Sequence, residues 1–254
     1  MSDMSGITLY SENALSVISD ADNYFPGFDT TDLERIELFT YKGVGQNLMP
    51  AADLPAVVGT PTEISGTPFY SFSNNANVAH LNLGIKDTTA QTWFVLFDPN
   101  SDPTQRLVMS SYAGTSVSTP PGAGIMISAA GTLQLGLGYH DTSTGAYSVS
   151  FATLTGFDFS KRALLCVTLD GTTGTITNMT SGNSASVTLS SGRERAPNTL
   201  RVGKGATNLW GIVTATSRIA AYAVFNRVLS GDEKTVVKNY FLKCIQKKFP
   251  LSSF

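Results

Sequence analysis

Short apolar runs alternating with turn residues dominate the chain from Gln91 onward. QTWFVLFD (91–98) is almost continuously apolar, as expected of a strand buried on both faces. DPNSDP (98–103) ends it with two prolines and turn-forming Asp and Asn. QRLVMSSY (105–112) follows, then a Gly/Ser/Thr/Pro loop through Pro121. GIMISAAGTLQLGLGY (124–139) predicts a hairpin turning near Ala130–Gly131, with Leu133, Leu135 and Leu137 on one face. AYSVSFATL (146–154) alternates again and sets Tyr147, Val149 and Phe151 on one side. ALLCVTLD (163–170), TITNMT, ASVTLS, TLRVGKG (199–205) and SRIAAYAVF (217–225) complete the series. Strands recurring every eight to twelve residues without alternating helices predict an antiparallel sandwich or barrel.

The ends of the chain read differently. SENALSVISDADNYFPG (11–27) predicts one or two helical turns, LERIELFTY (33–41) a strand, and GTPFYSFSNNANVAHLNL (66–83) two strands around an Asn-rich turn. Residues 1–44 form an N-terminal extension that adds a strand or short helix to a sandwich over 45–254. A helix over 231–248 closes the chain. Ser230 and Glu233 have the spacing of a capping box, and Asp232 and Glu233 place negative charge at the positive end of the helix dipole. Val236, Val237, Tyr240, Phe241, Cys244 and Ile245 form its apolar stripe, and Pro250 stops it.

Composition narrows the function classes. Among 254 residues, Lys and Arg number 17 against 19 Asp and Glu, for a net charge of −2. That balance lacks the basic stripe of a nucleic-acid binder. No apolar stretch reaches the 18 residues that suggest a membrane span, so no insertion is expected. The N-terminus lacks the basic start and apolar core of a secretion signal, which predicts synthesis in the cytosol. Cys166 and Cys244 show neither metal spacing nor a disulfide framework and are expected as buried free thiols.

The strand–Asn226-Arg227-x-Leu229-Ser230-x-x-Glu233–helix sequence resembles the C-terminal motif of the concanavalin A-like lectin/glucanase superfamily, in its laminin-G-like branch. NTLRVGKG (198–205), Trp210-Gly211-Ile212, GTPFYSFSNNANVAHLNL and QTWFVLFD resemble further elements of that family over about residues 45–245. The resemblance implies an all-β jelly-roll sandwich of two antiparallel sheets, one of them concave, with one C-terminal helix. It fixes no function, because the fold hosts lectins, glycanases, lyases and adhesive domains. Departures are the SGN turn (181–183) in place of Asn-Gly and the missing secretion signal. With the Gly-, Ser-, Thr- and Asn-rich composition, that absence points to a bacteriophage virion or tail component.

Retaining glycanases of this fold carry E-x-D-x-x-E, supplying two carboxyls about 5–5.5 Å apart. No such spacing occurs, and Glu34 and Glu37 fall on opposite faces of a strand. The Gln-x-His of the fold's lyases is also missing around His80 and His140. His140-Asp141 lacks a nucleophile and reads as an ordinary loop, so catalysis is not expected. Oxygen ligands for Ca²⁺, which laminin-G and lectin domains often hold at the rim, are best supplied by Asp98, Asn100 and Asp102, whose spacing is equally that of a turn. No other cofactor is expected.

Sugar rings have apolar faces and polar edges, so a glycan site needs an aromatic platform beside hydrogen-bonding groups. Trp210, Tyr139, Tyr112 and Tyr147 are the candidate platforms, and Arg193, Arg195, Asn208 and Asp141 the polar partners. Trp93 belongs to the core, and the RER cluster (193–195) to a solvated turn. Arg227 is expected to tie the last strand to a neighbouring segment. The expected function is non-catalytic glycan binding or adhesion, with bacterial surface polysaccharide and other virion proteins as partners and a homo-oligomer as the assembled form. The alternatives are an assembly module without a sugar site and a divergent glycanase or lyase.

Overall fold

Strand Ala90–Asp98 explains the architecture, because both of its faces are buried for different reasons. Trp93, Val95 and Phe97 point between two sheets, whereas Phe94 and Leu96 point into a second core beneath the C-terminal helix. A run with no polar alternation is the consequence. A computed structural model describes residues 27–49, 53–73, 79–114, 119–204 and 215–249. The predicted helical turns at 11–27 and the Trp210-Gly211-Ile212 element lie outside the described residues.

In chain order the elements are β1 (Leu33–Leu38), α1 (Phe39–Lys42), β2 (Ala56–Val58), β3 (Thr62–Glu63), β4 (Tyr70–Ser73), β5 (His80–Lys86), β6 (Ala90–Asp98) and β7 (Arg106–Ser110). Then come β8 (Ala123–Ile127), β9 (Leu133–Asp141), β10 (Ala146–Thr153), β11 (Ala163–Asp170), β12 (Thr173–Asn178), β13 (Ser184–Thr188), β14 (Thr199–Val202), β15 (Thr216–Phe225) and α2 (Gly231–Lys248). One sheet runs β13-β12-β11-β6-β15-β4-β3, with β1 also paired to β15; the other runs β10-β9-β8-β7-β14-β5-β2. Every pairing is antiparallel. This is the all-β jelly-roll sandwich expected. Its main core holds Leu81, Leu83, Met109, Ile125, Leu133, Leu135, Leu137, Leu200 and Val202 from the seven-stranded sheet.

The first strand docks on the last one. Ile36 pairs with Ala223 and Glu37 with Tyr222, so Leu33, Ile36 and Leu38 extend the core under α2. The predicted strand 33–41 ends at Leu38, where the chain turns once as α1.

Helix α2 starts at the capping box: Ser230 N–H donates to Glu233 Oε2 at 2.7 Å, and Glu233 N–H to Ser230 Oγ at 3.3 Å. Val237, Phe241 and Ile245 are buried against the alanines Ala220, Ala221 and Ala223, whose small side chains let the helix approach. Each fully buried Val, Ile or Phe contributes roughly 1.5–3 kcal/mol. Val236 is 44% exposed and leaves the predicted stripe, because it lies on the far side of the helix. Arg227 pairs with Glu233 at 2.7 Å and Asp29 at 3.3 Å, and its Nε donates to the Thr31 carbonyl. Asn226 Oδ1 accepts from Thr88 Oγ1 and Gln91 Nε2, while the Leu229 amide donates to Thr92 Oγ1. These motif residues staple the last strand to β6 and to the segment before β1. Among the described residues no helix is long and apolar enough to cross a membrane.

Candidate functional site

Because Leu133, Leu135 and Leu137 face the core, period-two geometry turns Gln134, Gly136, Gly138 and His140 of β9 to the outside of the seven-stranded sheet. Register then fixes what stands beside them on β10: Thr153 opposite Gln134, Phe151 opposite Gly136, Val149 opposite Gly138 and Tyr147 opposite His140. The side of β10 carrying Tyr147, Val149 and Phe151 therefore faces outward. Its inward side holds Ser148, Ser150 and Ala152, small residues suited to a margin where β10 and β13 come together.

Gly136 shapes this surface. A Cβ there would lie 2.9 Å from Met126 Cε and 3.2 Å from both Phe151 Cε1 and Val149 Cγ1. The missing side chain lets the Phe151 ring lie over the strand while the residue stays 45% exposed. Beside it, Leu107, Tyr112 and Met126 form a small apolar cluster with Val149. The polar rim comprises the Gln134 Nε2–Thr153 Oγ1 hydrogen bond (2.9 Å) and the His140–Tyr147 edge-to-face pair (ring centroids 5.1 Å apart). His140 is a strand residue, not the loop residue expected, because β9 runs on to Asp141.

The predicted glycan residues are dispersed. Tyr139 packs against the main core. Tyr112 is only 5% exposed within the outer cluster. Asp141 Oδ1 accepts from the amide and hydroxyl of Ser143 at the β9–β10 turn, bonds that hold its carboxyl below the usual range. Arg195 is exposed, and Trp210 and Asn208 lie outside the described residues. Arg193 corrects the reading of RER as a solvated turn. Its side chain is fully buried and pairs with the fully buried Asp87 at 3.1 Å, and Ser111 Oγ donates to the other Asp87 oxygen at 2.8 Å. Arg193 takes this position because its backbone bridges Tyr139 beyond Ala123, the first residue of β8.

Asp98, Asn100 and Asp102 do share a tight turn, with Asn100 and Ser101 in left-handed conformations. Its carboxylates are already engaged. Asp102 pairs with the buried Arg106 at 2.8 Å, and Asp98 faces Arg162 at 3.6 Å and caps the Asn100 amide. A Ca²⁺ ion would have to displace two guanidinium groups. Among the described residues no cluster of three or more His, Cys, Asp or Glu is placed to hold a metal.

Two further polar residues lie between the sheets. Arg35 donates from Nε to the Leu83 carbonyl, and Glu37 Oε2 accepts from the Gly45 amide. Arg35 Nη1 is buried without a hydrogen-bond partner among the described residues, while the buried Glu37 carboxyl and Tyr222 hydroxyl interact with each other. Burial pushes the Glu37 carboxyl up to about 8, outweighing the Gly45 and Tyr222 hydrogen bonds and the Arg35 charge.

Comparison with known proteins supports the fold. No protein-family model matches the chain, and no curated protein matches it in sequence. Among solved structures it resembles the botulinum neurotoxin serotype D/C binding domain, at 10% identity and a TM-score of 0.53, over 83% of this chain and 52% of that one. The type G receptor-binding domain gives 12% identity and a TM-score of 0.51, over 84% and 52%. A botulinum neurotoxin DC binding domain in complex with SialylT gives 10% and 0.52, over 83% and 52%. The chain thus spans about half the length of these domains. A two-sheet, lectin-like β-sandwich is what they share with it.

Proposed function

We propose that this chain is a non-catalytic glycan-binding domain of the concanavalin A-like, laminin-G-like kind, serving attachment on a bacteriophage virion or tail. The observation that carries the reading is the Phe151 ring laid over Gly136 and 45% exposed, with the Gln134 amide and Thr153 hydroxyl at the next same-face register pair. An exposed ring suits the apolar face of a sugar, and the rim suits its hydroxyls. A binding role is compatible with the fold, one neighbour of which was solved with SialylT.

The seven strands of this sheet carry a single carboxylate, Asp141 at the end of β9. Hydrolysis by a carboxylate pair has no second member among those strands. Bacterial surface polysaccharide is the proposed ligand class. A glycan array probed with the wild type and with Phe151→Ala tests this: binding by the first and at least tenfold weaker binding by the second is the expected result. Silence across bacterial polysaccharides overturns it, and release of reducing ends or unsaturated sugars from a bound polysaccharide would make the domain an enzyme.

A second reading, an assembly module, draws on the edge strand β2. Val57 and Val58 are 44% and 40% exposed there and Leu54, just before the strand, 61%, an apolar margin suited to a protein partner. Light scattering that shows an oligomer dissolved by Val57→Lys would support that reading.

A further inference from the structure

The sheets are guarded at one margin and open at the other. β3 and β2, which end the two sheets on one side, are two and three residues long and follow directly on Pro61 and Pro55. Short strands and prolines are the usual guards against pairing with another chain. β13 ends the eight-stranded sheet on the opposite side without them. Neither β13 nor its neighbour β12 carries a charged residue or a proline, and the ladder between them runs without a bulge.

Hydrogen bonding fixes which way each residue of β13 points. The Leu189 amide donates to the Thr172 carbonyl, and the Asn183 carbonyl accepts from the Asn178 amide. Period two then turns the backbone groups of Ala185 and Val187 toward β12 as well. The N–H and C=O groups of Ser184, Ser186 and Thr188 therefore point away from β12, and among the described residues no partner takes them. All three residues are exposed, and their hydroxyls meet those of Thr177, Thr175 and Thr173 at 3.0, 2.8 and 3.0 Å on the outer face. So close an approach is what the non-hydrogen-bonded pairs of an antiparallel ladder give, in agreement with that assignment. Ala185 and Val187 point inward and are half-buried at the rim of the main core. β10 approaches from the other sheet but forms no ladder with β13.

The strand is complementary to itself. Turned about a two-fold axis at Ser186, a second copy sets Ser186 against Ser186 and Ser184 against Thr188. These are the residues whose backbone groups are free, so each pair can exchange both N–H···O bonds. Ala185 meets Val187 on the inner side and continues the core, while hydroxyl meets hydroxyl on the outer side. No charge opposes another.

We propose that two copies of this chain pair antiparallel through β13, joining their eight-stranded sheets into one. The proposal stands apart from the glycan-binding reading and from the apolar margin at β2. Five residues a side fall far short of the roughly 20–30 of a standard interface, so the dimer is a weak one that forms at high local concentration.

Analytical ultracentrifugation of the whole chain is expected to show one copy in dilute solution and two at about 1 mM, a level that reveals even weak complexes. Hydrogen exchange followed by NMR should show the amides of Ser184, Ser186 and Thr188 slowed about tenfold or more at the higher concentration, with Ala185 and Val187 protected at both. Ser186→Lys and Ser186→Glu should each leave a single copy, because like charges then face one another across the axis. Mixing the two variants should restore the dimer, a rescue that requires position 186 to face itself. Thermal melts check that both variants still fold. A single-copy mass at about 1 mM overturns the proposal. So does a dimer that survives Ser186→Lys or leaves the three amides exchanging freely, which moves the contact to another edge such as β2 or β10.

Discussion

Phe151 and Arg193 exemplify two kinds of residue that local sequence mislabels. Phe151 lies on an alternating strand, where an aromatic residue normally turns inward, yet the β10 margin has room only for Ser148, Ser150 and Ala152 on the core side. Phe151→Ala is expected to weaken the proposed glycan binding at least tenfold while shifting the melting temperature little, since the side chain is already 45% exposed; differential scanning fluorimetry beside the binding assay checks both halves. Arg193 lies in a charged loop, but its partner Asp87 is 106 positions away, beyond what a local pattern records. Arg193→Met should destabilise the fold by about 3–5 kcal/mol, read by urea titration, because it strands the buried Asp87 charge. Cys166 is a third case, legible because an apolar strand buries a thiol. Burial pushes it up to about 12, so it should resist thiol reagents until the protein unfolds.

Among the elements, α2 was the most legible because its signals are local: a cap, two acids in the first turn and an apolar stripe. Ser230→Ala should cost about 1 kcal/mol in chemical denaturation. The effect reaches past the helix, because Glu233 also holds Arg227, and the Arg227 and Ser230 bonds keep the Glu233 carboxyl down at about 2. Strand β1 was legible as a strand but not as the partner of β15, nor was Glu37 as a buried acid. Glu37 titrates at about 8 when folded and near 4.5 when unfolded. Its protonated form is the folded one, so its stabilising contribution is complete below pH 4.5, erodes as pH rises and is gone above 8. Thermal melts between pH 5 and 9 should show this decline, and Glu37→Gln should flatten it.

For the whole molecule, the two-sheet sandwich was readable because strand spacing, turn chemistry and the terminal helix all agree. The surface around Phe151 was not, since it is assembled by register: Met126 of β8, Gly136 of β9 and Val149 and Phe151 of β10 meet there, which no short window contains. The extension drawn at residues 1–44 contains a strand of the sheet, with Ile36 and Leu38 in the core under α2 and Arg35 bonded to β5. Deleting residues 1–44 is expected to yield insoluble protein, because it uncovers one edge of β15 and the buried faces of Phe225 and Ala223; expression of the shortened chain at low temperature checks this.

The pairing of β1 with β15 also sets a timetable. Arg227 reaches Thr31 across 196 positions, so β1 leaves the ribosome long before the strand that will cover it has been made. Throughout that wait Leu33, Ile36 and Leu38 have no native partner, and closing so long a loop comes late and slowly. The nascent chain is therefore most vulnerable to aggregation until β15 has left the ribosome, and the emergence of β15 is what lets β1 lock into the sheet.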